Sequence, residues 1–220
     1  MASEGFKVTS VEPVGEGFTG ISFIMDTFLE IARKEDLFFT LIKSPIEDCK
    51  FNHIFDFIYS INVMEHLKDP YSVLLQMMTN LRKGGKYRFF CPNYDFPYEP
   101  HFGKWMFLRK NNAFHLQERR ANSLLIPRHE TLGLYRSLNF ITLKKIKRSL
   151  KGKPIRLLAN PNSLYEMTIR SIHDSELKKR HKVLTNFVRF LFVLKLHYLA
   201  KLVPVNEQPT MDVETTLSLD

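Results

Sequence analysis

The stretch from Phe55 to Pro92 constrains this chain more than any other. Phe55, Phe57, Ile58, Tyr59 and Ile61 form a short aromatic and β-branched run, which predicts a strand buried on both faces of a parallel sheet. Asp69-Pro70 follows. An aspartate can cap a helix, and proline fits its first position, where the missing amide costs nothing. Val73, Leu74, Met77, Met78 and Leu81 then repeat at helical spacing, so one face packs on the sheet. Gly84-Gly85 is expected to stop that helix, Tyr87, Phe89, Phe90 and Cys91 to form the next strand, and Pro92 to end it. A strand, a helix and a second strand joined by short turns make a right-handed crossover unit, and ligands of open α/β sheets lie beyond the carboxyl ends of such strands. Here those ends are Asn62 to His66 and Pro92 to His101.

The preceding residues continue the same alternation of elements. Lys7 to Val11 alternates polar and apolar residues and ends at Glu12-Pro13. An acidic residue at a strand end suits a nucleotide ribose, because a carboxylate accepts hydrogen bonds from both vicinal hydroxyls; the competing reading is a surface acid before a proline turn. Ile21 to Lys34 carries an apolar helical stripe, and Leu37 to Ile42 reads as another buried strand. The expected fold class is α/β, a mostly parallel twisted sheet flanked by helices.

FDFIYSINVMEHLKDP followed by LRKGGKYRFFCPNY, with VTSVEPVGEGF before them, resembles the class I S-adenosylmethionine-dependent methyltransferases over roughly Lys7 to Phe102. The resemblance implies a Rossmann-like sheet and S-adenosylmethionine as cofactor. It implies that Glu12 holds the donor's ribose, that Ile46 covers the adenine and Glu47 takes its exocyclic amine, and that Asn62 and Val63 face the bound cofactor. His66 becomes a candidate general base, since its ordinary pKa lies near operating pH; alternatively Glu65 and His66 lock the turn by hydrogen bonds to the backbone. Some relatives bind a divalent metal through an acid at the place held here by Asn62, so no metal is expected. Beyond the second strand, Tyr94, Tyr98, Glu99 and His101 in a proline-stiffened loop are the candidate acceptor wall, the alternative being a loop that only seals the sheet. In the family a glycine-rich loop on a first strand precedes the acidic strand, whereas only six residues precede Lys7 here. The expectation is a chain lacking that strand and loop, with two functional readings: methyl transfer to a small acceptor, or a catalytically inactive remnant serving as a binding or scaffold subunit.

The second half differs in character. Of 32 Lys+Arg and 23 Asp+Glu, residues 1–103 hold 10 against 14, residues 104–203 hold 22 against 5, and the remainder 0 against 4. That asymmetry suggests an anionic partner, a phosphorylated or acidic substrate, a membrane surface or nucleic acid, the competing reading being a solvated basic face; the basic run Lys144 to Lys153 has no interleaved aromatics, which argues against a single-strand nucleic-acid platform. Glu130 to Leu138 and Ile141 to Leu150 read as helices, Ile155 to Leu158 and Leu164 to Ile172 as strands, and Thr210 to Thr215 as an edge strand. Residues 1–174 are expected to form the methyltransferase-like domain and 175–220 a basic, apolar helix and edge strand packed on it. That helix, from Asp174 or Ser175 to Leu202, has more apolar residues than one face needs, so it docks in the domain core, or 175–203 makes a dimer or a peripheral membrane contact. Two cysteines, Cys49 and Cys91, and no recognisable targeting segment predict a reduced, cytoplasmic protein.

Overall fold

The computed structural model describes residues 1–13, 19–51, 54–99, 104–105, 137–175 and 182–218. The chain divides into two units, Met1–His53 with Phe114–Leu138, and Ile54–Ala113 with Asn139–Asp220.

In the first unit, strand β1 (Thr9–Val11) leads to helix α1 (Thr19–Lys34) and then to strand β2 (Thr40–Ile42). The helix buries Met25 and Ala32 at seven-residue spacing, as an amphipathic stripe requires. β1 and β2 pair in parallel, Thr9 opposite Thr40 and Val11 opposite Ile42. The second strand is shorter than its sequence suggests. Phe38, read as part of it, is 81% exposed and only Thr40–Ile42 joins the ladder.

The second unit is built on strand β3 (Phe55–Ile61), helix α2 (Pro70–Thr79) and strand β4 (Leu81–Pro92), with β3 and β4 parallel. Asp69 caps α2 as expected, its Oδ1 accepting the amides of Tyr71 and Ser72 at 3.1 Å each. The helix buries Val73, Leu74, Met77 and Met78 toward the sheet.

The glycine pair acts otherwise than the sequence suggests. α2 already ends at Thr79, and Gly84-Gly85 lies inside β4, where the register jumps from Phe55 opposite Leu81 to Phe57 opposite Lys86. Gly84 takes φ 80°, and a Cβ on Gly85 would meet the carbonyl oxygens of Arg82 and Asp56 at 3.0 Å. The pair lets a bulged strand pass close to its neighbour.

Strand β7 (Ile155–Ala159) and strand β8 (Thr210–Leu217) complete a sheet in the order β3-β4-β8-β7. β8 runs antiparallel to both its neighbours, so β3, β4 and β7 share one direction and the sheet is mostly parallel. β8 is therefore an interior strand, which corrects its reading as an edge. Its acids misled because they occupy one face only. Met211, Val213 and Thr215 are fully buried on the other, beside Tyr87, Phe89 and Cys91 of β4. Across the ladder the acids meet cations: Arg88 donates through Nε and Nη2 to Asp212 at 2.8 and 2.6 Å, and Lys86 Nζ donates to Glu214 at 2.9 Å. β3, at the end of the sheet order, is not buried on both faces, since Phe57, Tyr59 and Ile61 stand 42–60% exposed.

Helix α3 (Leu143–Ser149) follows the expected stripe, with Thr142 Oγ1 accepting from the Lys145 amide. The stretch Leu164 to Ile172, read as a strand, lies in helix α4 (Ser163–His173). Its first-turn amide at Leu164 is taken by the Gln208 side chain at 3.0 Å, a partner 44 residues away that no local signal announces. Helix α5 (Lys182–Val193) follows. The single helix expected as far as Leu202 breaks after it: Lys195 adopts a left-handed φ of 58° and a 3₁₀ helix, Leu196–Leu202, continues. Most of the helix expected over 130–138 lies outside the described residues.

The bidentate pair across β4 and β8 yields a stability test. Burial by itself raises the carboxyl pKa of Asp212, but hydrogen bonds from Arg88 and Asn160 outweigh it and hold the group below its ordinary 3.8. A depressed folded-state pKa contributes stability that is present above the unfolded value and lost as pH falls. Arg88→Ala is expected to lower the unfolding free energy by about 1–3 kcal/mol at neutral pH, because Asp212 loses a charged partner. Urea denaturation should show that deficit narrowing once the pH drops below 3.8.

Candidate functional site

The candidate residues fall into two strand-end clusters, one in each unit. In the first unit Glu12 stands directly beyond β1, its amide donating to the Ile42 carbonyl at 3.0 Å, so the ladder runs one residue past the strand. Its carboxyl group is partly buried, and that burial raises its pKa above 4.5. Beyond the parallel strand β2, Ile46–Asp48 forms a 3₁₀ turn in which Ile46 and Glu47 are half-buried. Glu12, Ile46 and Glu47 thus lie past the carboxyl ends of two paired parallel strands, where such sheets take ligands.

In the second unit β3 is followed by Asn62, which turns the chain with a left-handed φ of 53° and donates its amide to the Phe90 carbonyl at 2.8 Å. Asparagine tolerates that conformation better than most residues. Asn62 and Val63 are exposed, while Met64 and Glu65 in the following 3₁₀ turn, Met64–His66, are fully buried and His66 is half-buried.

A residue outside the sequence-derived set holds this turn. Asn139 donates its side-chain amide to the carbonyls of Met64 (2.7 Å) and Leu67 (2.8 Å), and its backbone amide to the carbonyl of Glu65 (2.9 Å). Its Oδ1 in turn accepts the Ile141 amide at 2.9 Å. Beneath the turn, Tyr87 donates its hydroxyl to the Met64 sulfur at 3.1 Å.

β4 ends next door, and a second asparagine anchors it. Asn93 is 1% exposed; its Nδ2 donates to the carbonyls of Asn206 and Gln208 at 3.0 Å each, and its Oδ1 accepts the Leu143 amide at 3.2 Å. Tyr94 then donates its amide to the Ile141 carbonyl at 3.1 Å and packs its ring 5.0 Å from that of Phe140, whose own φ is 54°. Residues 139–141 therefore touch both strand ends and bind them into one rim.

Tyr98 lies in strand β5 (Tyr98–Glu99), a two-residue strand paired with strand β6 (Lys104–Trp105). Asn62, Val63, His66, Tyr94 and Tyr98 all belong to the segments that leave β3 and β4 at their carboxyl ends. Glu99 contributes backbone to β5, and His101 lies outside the described residues. Neither Asn93 nor Asn139 belongs to the sequence-derived candidates, because their hydrogen bonds reach partners far along the chain.

The dense basic run lies elsewhere. Lys147, Arg148 and Lys151 line an open hollow of about 420 Å³ with Leu150, Ile155 and Leu157. Ile155 pairs with Leu217, at the end of the sheet where β4 begins, so this hollow sits opposite the rim. Among the described residues, no group of three or more His, Cys, Asp or Glu is arranged to hold a metal ion.

Comparison with known proteins adds family to geometry. The family model described as a methyltransferase domain matches residues 1–125. Uncharacterized proteins from two Mycobacterium tuberculosis strains are each 35% identical over 218 residues, covering 98% of this chain and 73% of theirs. Solved structures resemble it more remotely. The plantazolicin methyltransferase BpumL, in complex with a triazolic analog and SAH, is 11% identical with a TM-score of 0.44, over 99% of this chain and 81% of that one. The phosphoethanolamine N-methyltransferase 2 of Haemonchus contortus, in complex with S-adenosyl-L-methionine, is 13% identical with a TM-score of 0.49, over 98% of this chain and 50% of that one. With more than half its length matched to one family model, and with the strand-end motifs that first suggested it, the chain belongs to the methyltransferase-domain family.

Proposed function

We propose that this chain transfers a methyl group from S-adenosylmethionine to a small acceptor, with an anionic acceptor favoured by the basic second half. The observation that carries the reading is Glu12: in a member of the methyltransferase-domain family, a partly buried carboxylate stands directly past the carboxyl end of a parallel strand. The donor brings an activated methyl group and its own leaving group, so the protein's share is orientation and, for a hydroxyl acceptor, a base.

The residues present suit that share. Glu12 offers two oxygens to the vicinal hydroxyls of a ribose. Ile46 supplies apolar cover for a purine ring and Glu47 an acceptor for its amine. Asn62 and Val63, exposed at the turn after β3, present backbone and side chain toward the donor. His66 takes the proton of a hydroxyl acceptor. Tyr94 and Tyr98, in the segment that leaves β4, line the acceptor side.

Calorimetric titration of the chain with S-adenosylmethionine, and with S-adenosylhomocysteine, tests the reading. Binding is expected, and Glu12→Ala should weaken it by about tenfold or more, the equivalent of ~1.4 kcal/mol. Because burial raises the Glu12 pKa, the wild-type affinity should begin to fall at a pH above 4.5 as the solution is acidified, and the variant's should not. Absence of donor binding by the wild-type chain would overturn the proposal and favour a remnant that serves only as a binding subunit.

A separate measurement addresses the base. His66→Ala should leave donor affinity unchanged while slowing transfer to a hydroxyl acceptor by about 10²–10⁴-fold. An undiminished rate would remove His66 from the mechanism.

A further inference from the structure

Helix α5 is oriented against the usual rule. Its residues Thr185 and Arg189 face its own unit: Thr185 is 1% exposed, and Arg189 is half-buried with Nη2 directed at the Ile172 carbonyl of α4, 3.4 Å away. Turned away from that side, Phe187, Phe190, Val193 and, one residue past the helix, Leu194 are 48–77% exposed. At 100° per residue those four fall within one broad face, which the protein directs outward rather than into a core.

The 3₁₀ helix that follows extends the same surface. Its packing is concentrated in one residue, His197, whose buried ring stacks 4.4 Å from Phe192 and lies 4.3 Å from Tyr198, with Tyr165 of α4 at 6.0 Å. Around that anchor Leu196, Tyr198, Leu199 and Leu202 are 42–76% exposed. The left-handed turn at Lys195 is what brings this second apolar group after the first.

Charge tells what such a surface fits. From Lys182 to Val203 the chain carries Lys182, Arg189, Lys195 and Lys201 and not one acidic residue. Lys195 and Lys201 are exposed among the apolar groups, the Lys201 ammonium resting 4.3 Å above the Tyr165 ring. A two-fold contact between copies would lay this patch on itself and face cation against cation with no acid to offset them. An anionic surface that accepts apolar side chains between its headgroups satisfies both features at once. The described helix has 12 residues, about 18 Å at 1.5 Å per residue, so it can lie in such a surface but not cross it.

We propose that the outward face of α5 and the following 3₁₀ helix is a docking surface for an anionic lipid bilayer. Phe187, Phe190 and Tyr198 enter the headgroup boundary, and Lys195 and Lys201 sit at the level of the phosphates. Arg189 stays on the protein side and holds the helix to α4.

Flotation of the chain with vesicles of phosphatidylcholine alone, and of phosphatidylcholine mixed with phosphatidylglycerol, tests this. Binding to the anionic vesicles is expected, with at least about tenfold less on the neutral ones and a decline as salt is raised. The double variant Phe187→Ser, Phe190→Ser should lose at least about tenfold of the vesicle binding. These side chains face outward, so its circular dichroism and thermal transition should match those of the wild type; Lys195→Glu with Lys201→Glu gives a second route that leaves the aromatic face intact. Failure of the wild type to float with anionic vesicles would overturn the proposal. So would light scattering that shows a dimer which the phenylalanine variant dissociates, since the surface would then belong to a second copy.

Discussion

Two asparagine side-chain amides, that of buried Asn93 and that of half-buried Asn139, carry the rim of the second unit. Asn139 ties the carbonyls of Met64, Glu65 and Leu67 in the turn after β3, and Asn93 ties the end of β4 to segments near Leu143 and Asn206–Gln208. Each saturates backbone groups that would otherwise be buried without partners, and such groups are costly to leave unmet. The exposed Asn62 and Val63 can hold a fixed position only because Met64 and Glu65 behind them are pinned this way. Precision at the surface of this unit is thus inherited from polar contacts beneath it.

The framework of both units could be read from the sequence because local signals agreed with the final packing. Asp69-Pro70 announced a helix start, and Tyr87, Phe89 and Cys91 announced one face of a strand. Errors arose where a distant residue decided the matter. Gln208 caps α4, whose sequence reads as a strand, and Arg88 and Lys86 neutralise the acids that make β8 look like an edge. The glycine pair stands out in the sequence, but its role depends on how closely β3 approaches β4, which no single-strand pattern encodes. For the site, the strand-end positions of Glu12 and Asn62 were legible from the alternation of elements. Asn139 was not, because its hydrogen bonds reach back more than seventy residues.

The apolar surplus of the 182–203 segment was visible as composition, but its direction was not. Periodicity alone gives a helix two faces and leaves open which one its own unit takes. Here the choice falls to Thr185 and Arg189, and to the single buried ring of His197. A few polar contacts on the inward side are enough to turn phenylalanines toward the outside.

The interior place of β8 has a consequence for how the molecule comes into being. Arg88 must wait for Asp212, 124 positions farther along the chain, before the middle of the sheet is closed. Contacts so remote in sequence carry a large loop-closure entropy and slow the approach to the native state. During synthesis, β4 therefore emerges with one of its long edges bare and its buried face half covered, and it stays so until residues 210–217 have left the ribosome. An edge left bare in that way is open to mispairing until its antiparallel partner arrives to cover it.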